Sequence, residues 1–150
     1  MEHRLKEIIY LGIFLAVTSA VAAGLLALTY VNTAARIAEE ESLNYKQAVK
    51  EVLPQGVEGK VKKIKAKGWG SDIELLVGVD KNGKIAGVKI LKIADTPGLG
   101  MNAADPKFLA QFIGKTAKDK FKAKQDVQAI TGATITSQGV ADGVKKALLP

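Results

Sequence analysis

The chain has 150 residues, 22 of them Lys or Arg and 15 Asp or Glu, for a formal charge of +7, with one histidine and no cysteine. That length suffices for one modest domain with its own core, plus an appendage. The absence of cysteine excludes disulfides, thiolate nucleophiles, iron–sulfur clusters and cysteine-ligated zinc. With His3 alone at the N-terminal tip, the body also has no triad, imidazole acid–base or histidine-rich metal site.

Any chemistry must therefore come from a bound cofactor or from carboxylates and hydroxyls. A basic balance suits nucleic acid, an anionic membrane surface or an acidic partner. Nucleic acid is disfavoured, because Tyr45, Trp69 and a few Phe residues show none of the aromatic–basic alternation of single-strand binders.

Residues 1–7 form a short polar tip. Residues 8–31 are a run of 24 without a charge, which at about 1.5 Å per residue is long enough to cross a ~30 Å hydrocarbon core with some tilt. Tyr10 and Tyr30 sit near its ends, where interfacial aromatics are expected. The run is too long for a signal-peptide core. Small residues between Thr18 and Gly24 suit either helix packing in the membrane or ordinary Ala-rich membrane sequence. Arg4 and Lys6 before the segment, against Arg36 after it, favour a cytoplasmic N-terminus and an extracytoplasmic body.

Residues 32–56 read as a helical neck, with a broken apolar stripe from Ala34 to Leu53 and a stop at Pro54 and Gly56. The domain follows over residues 57–150. Residues 60–67 alternate lysines with Val61, Ile64 and Ala66, the pattern of a charged edge strand. Trp69, between Gly68 and Gly70, suits either a flat stacking surface or a core plug. Residues 72–79 and 84–92 form two strands, joined by the hairpin turn Asp80-Lys81-Asn82-Gly83.

The second strand of that hairpin enters the loop Asp95-Thr96-Pro97-Gly98-Leu99-Gly100. There Pro97 fixes φ, the glycines admit close backbone approach to a ligand, and Thr96 offers a hydroxyl. Gly98-x-Gly100-x-x-Ala103 matches a dinucleotide fingerprint only on paper, because Pro106 is too near and too little chain follows for further βαβ units. Asp105-Pro106 starts a short helix with Phe108, Leu109 and Phe112 toward the core. The lysines from 115 to 124 form a basic run, read as a solvated face or as an attractor of an acidic partner or lipid head group.

Residues 127–130 read as a brief strand, leading into Thr131-Gly132-Ala133-Thr134-Ile135-Thr136-Ser137 and a helix carrying Val140, Val144, Ala147 and Leu148. A strand that breaks into a helix through a small, hydroxyl-rich turn is an anion site, since the first helical N–H groups are unpaired and the helix dipole favours negative charge there. On those seven residues alone, a plain Thr/Ser N-cap, which many helices have, is the simpler reading.

Three stretches together, TGATITS, the DTPGLG loop and the glycine–aromatic–glycine before a hairpin, resemble the FMN-binding domain of the Rnf electron-transport complex. The resemblance is to its G subunit, and the C subunit of the sodium-pumping NADH:quinone reductase shares the domain. It covers essentially the whole chain, and the length favours the Rnf member over its longer relative. It implies an α+β fold, a small antiparallel sheet with packed helices on one N-terminal transmembrane helix.

It also implies that Thr134 is esterified to the phosphate of FMN by a flavin transferase. Thr131, Gly132 and Ala133 would complete the turn, and Thr136 or Ser137 would begin the helix behind it. Thr96, Pro97, Gly98, Leu99 and Gly100 would line the flavin, with Leu99 against the ring and Trp69 as a further cofactor-binding residue. No residue is assigned a catalytic role and no metal is expected. Asp95 stands where the family loop has a glutamate. Gln128 stands where the family has an aspartate six residues before the threonine, and Asp126 lies two positions earlier.

The function so implied is electron carriage within a cell-membrane complex that couples ferredoxin:NAD electron transfer to Na⁺ or H⁺ movement. Partners are the other Rnf subunits, the transferase and the membrane. A stand-alone anchored flavoprotein reductase, a component like the quinone reductase's C subunit, and a tethered scaffold module are the alternatives.

Overall fold

The computed structural model describes residues 2–149. Helix α1 runs unbroken over Glu2–Val52. Contacts divide the chain between Ser42 and Leu43 into two units. In the first unit, α1 is long and apolar enough to cross a membrane. Its large apolar side chains from Leu5 to Val31 are exposed, as a helix solvated by lipid requires. A single apolar N-terminal helix supports a single-pass topology.

The second unit is built on a three-stranded antiparallel meander: β1 (Gly59–Lys67), β2 (Asp72–Asp80) and β3 (Ile85–Lys92), in the order β1-β2-β3. Gly59 pairs with Asp80 and Lys67 with Asp72, while β2–β3 pairing shifts register at Glu74/Leu75 and Gly78/Val79. The hairpin turn is as its residues predict. Asp80 Oδ1 accepts the N–H groups of Asn82 and Lys84, both at 2.8 Å, and Gly83 has φ +74°.

Strand β2 is central and its apolar residues bury on both faces. Ile73, Leu75 and Val77 join the main core, whereas Leu76 on the opposite face packs with Ala48 and Val52 from the end of α1. Gly78 and Gly87 let that helix end lie flat on the sheet, because a Cβ on either would fall on Val52 backbone atoms.

The other face is covered by α2 (Pro106–Ala110), the segment after it, and α3 (Thr134–Ala147). Asp105 caps α2 by accepting the Lys107 N–H. Phe108, Leu109 and Phe112 are buried as their spacing predicts. Phe112 meets Phe108 edge-on and stacks with Phe121; each fully buried ring contributes about 1.5–3 kcal/mol. On α3, Val140, Ala141, Val144 and Ala147 form the apolar stripe, and Gly139 lets the helix sit against the Lys67 carbonyl.

Residues 127–130 differ from the expected strand. Only Val127 forms a bridge, with Ala123. The backbone groups that follow bond to side chains instead of a sheet edge. Gln128 N–H donates to Gln111 Oε1 at 2.7 Å and Ile130 N–H to Ser137 Oγ at 3.0 Å. These bonds satisfy an extended segment that has no neighbouring strand.

Candidate functional site

Three segments converge at one end of the sheet: the turn after β1, the loop after β3 and the turn into α3. Their meeting point is the Asp95 carboxylate. Its Oδ2 accepts the Thr136 hydroxyl at 2.6 Å and the Trp69 N–H at 3.2 Å, and its Oδ1 accepts the Thr96 N–H at 2.8 Å. Asp95 is 7% exposed, and a carboxylate so buried is tolerated only when its oxygens are satisfied. The Thr136 hydroxyl above all, with the N–H groups of Thr96, Trp69 and Gly70, holds its carboxyl below the usual range against the opposing effect of burial.

The loop after β3 turns at Pro97-Gly98, with Leu99 N–H returning to the Thr96 carbonyl at 3.2 Å and Gly98 at φ +74°. That is the chemistry of a turn with Pro second and Gly third. The turn into α3 repeats it, with Ala133 N–H returning to Ile130 at 3.0 Å and Gly132 at φ +76°. The two turns touch, since a Cβ on Gly132 would lie 2.9 Å from Leu99 Cδ2. Gly100 backs directly onto the carboxylate, and a Cβ there would lie 2.5 Å from Asp95 Cγ.

Helix α3 starts at Thr134, two residues earlier than its hydroxyls suggest, with Ala133 at the N-cap and no side-chain cap. The Thr/Ser cap that fitted the seven residues is therefore not formed. The backbone N–H groups of Thr134, Ile135 and Thr136 have no acceptor among the described residues, and neither has the Thr134 hydroxyl. Ser137 is fully buried and spends its hydroxyl on the Ala133 carbonyl at 2.9 Å.

Half-buried Thr134 lies between two cavities. The smaller, about 350 Å³, has Trp69, Leu99 and Ile135 as apolar walls and includes Asp95, Thr96 and Gly100. The larger, about 710 Å³, is polar and runs along residues 124–132 with Gln111. Trp69 is 69% exposed, so it is no core plug and stands free at the cavity wall. Thr131 is exposed beside the larger cavity, while Pro97 and Gly98 sit at their loop's apex, outside both.

Gln128 also faces the larger cavity. Asp126 is not available to replace an aspartate there, because its carboxylate holds the N–H groups of Lys122 (2.7 Å) and Phe121 (3.0 Å) and the Lys115 ammonium (3.1 Å). Two contributors were not among the expected site residues. Asp95 joins all three segments, with its place before Thr-Pro-Gly as the one available signal; Ile135 completes the apolar wall.

An apolar slot beside an unpartnered hydroxyl and three open N–H groups at a helix start fits a planar ring joined to a phosphate. The fold and site thus define a small α+β cofactor-binding domain carried on one apolar helix. Comparison makes the class specific: residues 68–149 match the FMN-binding domain and residues 1–52 the RnfG N-terminal region, so the chain belongs to the FMN-binding domain family of RnfG type.

Among its relatives, the G subunit of the ion-translocating oxidoreductase complex of Methanosarcina acetivorans is 32% identical, covering 95% of this chain and 94% of that protein. Its counterpart in the Na(+)-translocating ferredoxin:NAD(+) oxidoreductase complex of Acetobacterium woodii is 31% identical, over 95% and 91%. The counterpart in the proton-translocating ferredoxin:NAD(+) oxidoreductase complex of Clostridium ljungdahlii is 47% identical over 55% of this chain, a match spanning 48% of that relative's length.

Proposed function

We propose that this chain is an electron-carrier subunit of a membrane complex that couples electron transfer between ferredoxin and NAD to ion translocation, with FMN bound covalently through its phosphate to Thr134. A non-catalytic redox role within a larger translocase accords with its relatives, one of which is named for proton and another for Na⁺ translocation. FMN held there supplies the electron-transfer chemistry. The chain binds and orients it.

The observation that carries this reading is the free Thr134 hydroxyl, set at the open amino end of α3 and shared between the two cavities. In the attachment, Thr134 Oγ would form the bond to the flavin-side phosphorus of an activated flavin phosphoanhydride supplied by a flavin transferase. The P–O–P bond would break, and the second phosphate group would leave with the proton that Thr134 Oγ gives up. The N–H groups of Thr134, Ile135 and Thr136, with the helix dipole, stabilise the remaining phosphodiester charge. Trp69, Leu99 and Ile135 shield the ring, and Thr131, Gly132 and Ala133 keep side-chain bulk away from the hydroxyl.

The bias of Arg4 and Lys6 over Arg36 supports a cytoplasmic N-terminus, with the flavin domain on the extracytoplasmic side of the cell membrane. The other subunits of the complex are its partners. The test is in-gel flavin fluorescence after denaturing electrophoresis of full-length protein made together with a flavin transferase. A fluorescent band at this chain is expected. Full-length protein with no fluorescence would overturn covalent attachment.

A further inference from the structure

We propose that Asp95 is a positioning residue that fixes a negative charge in the wall of the cofactor cavity and so lowers the reduction potential of the flavin bound there. This rests on reading that cavity as the flavin slot.

The geometry supplies three observations. Asp95 lines the same cavity as Trp69, Leu99 and Thr134. Little of its own surface meets solvent, and a ring seated in the slot would exclude the water that otherwise screens its charge toward the cavity. Its partners are a hydroxyl and backbone N–H dipoles, and among the described residues no ammonium or guanidinium pairs with it. The carboxylate therefore keeps its full charge while its position is fixed from three directions. Gly100 adds a fourth constraint, because its bare Cα packs directly against the carboxylate, where a Cβ would lie 2.5 Å from Asp95 Cγ.

Adding electrons to a flavin in this slot brings negative charge toward the carboxylate wherever fewer protons than electrons arrive. The fixed charge opposes that and favours the oxidised form. The donors around Asp95 also keep it ionised at neutral pH, so the bias is permanent under working conditions. The same carboxylate ties Thr136, and with it the first turn of α3, to the Trp69 turn, which sets the width of the slot.

The test is the midpoint potential of the flavin in the full-length, flavin-loaded protein, with the in-gel flavin band read first for each variant. Asp95→Asn, close in shape but neutral, is expected to keep the band and move the potential to more positive values. Asp95→Glu, which restores the charge, is expected to return it toward the original. The Glu and Gln variants repeat the comparison at a second side-chain length: a merely structural role would disturb both alike, whereas a charge effect separates them. A loaded Asp95→Asn protein with unchanged potential, or Glu and Gln variants with equal potentials, would overturn the proposal. Wild-type protein without a flavin band would overturn the flavin slot itself, and the proposal with it.

Discussion

The Thr136 hydroxyl donates to the Asp95 carboxylate at 2.6 Å, across 41 positions of sequence, and both residues are buried. Thr134, two residues earlier on the same helix, has a hydroxyl with no partner among the described residues. Two threonines in one turn of α3 thus hold opposite roles. One hydroxyl is committed to the Asp95 carboxylate and the other is left unpartnered.

Removing the two hydroxyls should therefore have unequal effects on stability. Thr136→Val leaves a buried carboxylate short of a donor and should destabilise the domain by about 1–3 kcal/mol. Thr134→Val breaks no hydrogen bond and should stay within about 0.5 kcal/mol. Thermal melting of the detergent-solubilised chain without flavin checks the difference. Equal losses would mean that the Asp95–Thr136 bond does not hold the helix start.

The two glycines beside Asp95 should also differ. A Cβ on Gly100 would lie 2.5 Å from Asp95 Cγ, whereas one on Gly70 would lie at ordinary contact, 3.8 Å from Oδ1. Gly100→Ala is expected to cost about 1–3 kcal/mol through overpacking, and Gly70→Ala less than about 0.5 kcal/mol. The same melting experiment ranks them. A tolerated Gly100→Ala would contradict the close packing behind the carboxylate.

Asp126 makes a pH prediction. Burial pushes its carboxyl up, but the N–H groups of Lys122 and Phe121 and the Lys115 ammonium outweigh this and hold it well below the usual carboxylate range. Those bonds also hold Phe121 in a left-handed conformation, φ 56°, that a bulky residue adopts only under constraint. With the folded value depressed, the stabilisation is fully present above the unfolded value of about 3.9 and is lost as pH falls through the folded one. Asp126→Asn should cost about 1–3 kcal/mol at neutral pH. The gap to wild type should narrow steadily below about pH 4 in acid denaturation. Parallel curves down to the lowest pH would remove Asp126 as the anchor of that segment.

Much of this architecture is legible in the residues. The charge-free run, the Asp80–Gly83 turn, the Asp105-Pro106 helix start and the α3 stripe each carry a local signal that the fold keeps. Val127-Gln128-Ala129-Ile130 misleads because its alternation is that of a strand, while its hydrogen bonds go to the side chains of Gln111 and Ser137, which no periodicity reveals. The start of α3 shifts because Ala133, with no capping side chain, occupies the N-cap. The turns at Gly98 and Gly132 could be found from their glycines. Their clasp could not, because the Asp95–Thr136 bond joins segments that only tertiary packing brings together.

The most direct measurement is peptide mass spectrometry of full-length protein made with the flavin transferase. The tryptic peptide after Lys124 carries Thr131, Thr134, Thr136 and Ser137 together, so fragmentation within it assigns the modified hydroxyl. The expected result is flavin phosphate on Thr134, lost in Thr134→Ala and retained in Thr136→Ala. An unmodified peptide, or flavin phosphate on Thr131, Thr136 or Ser137, would contradict it.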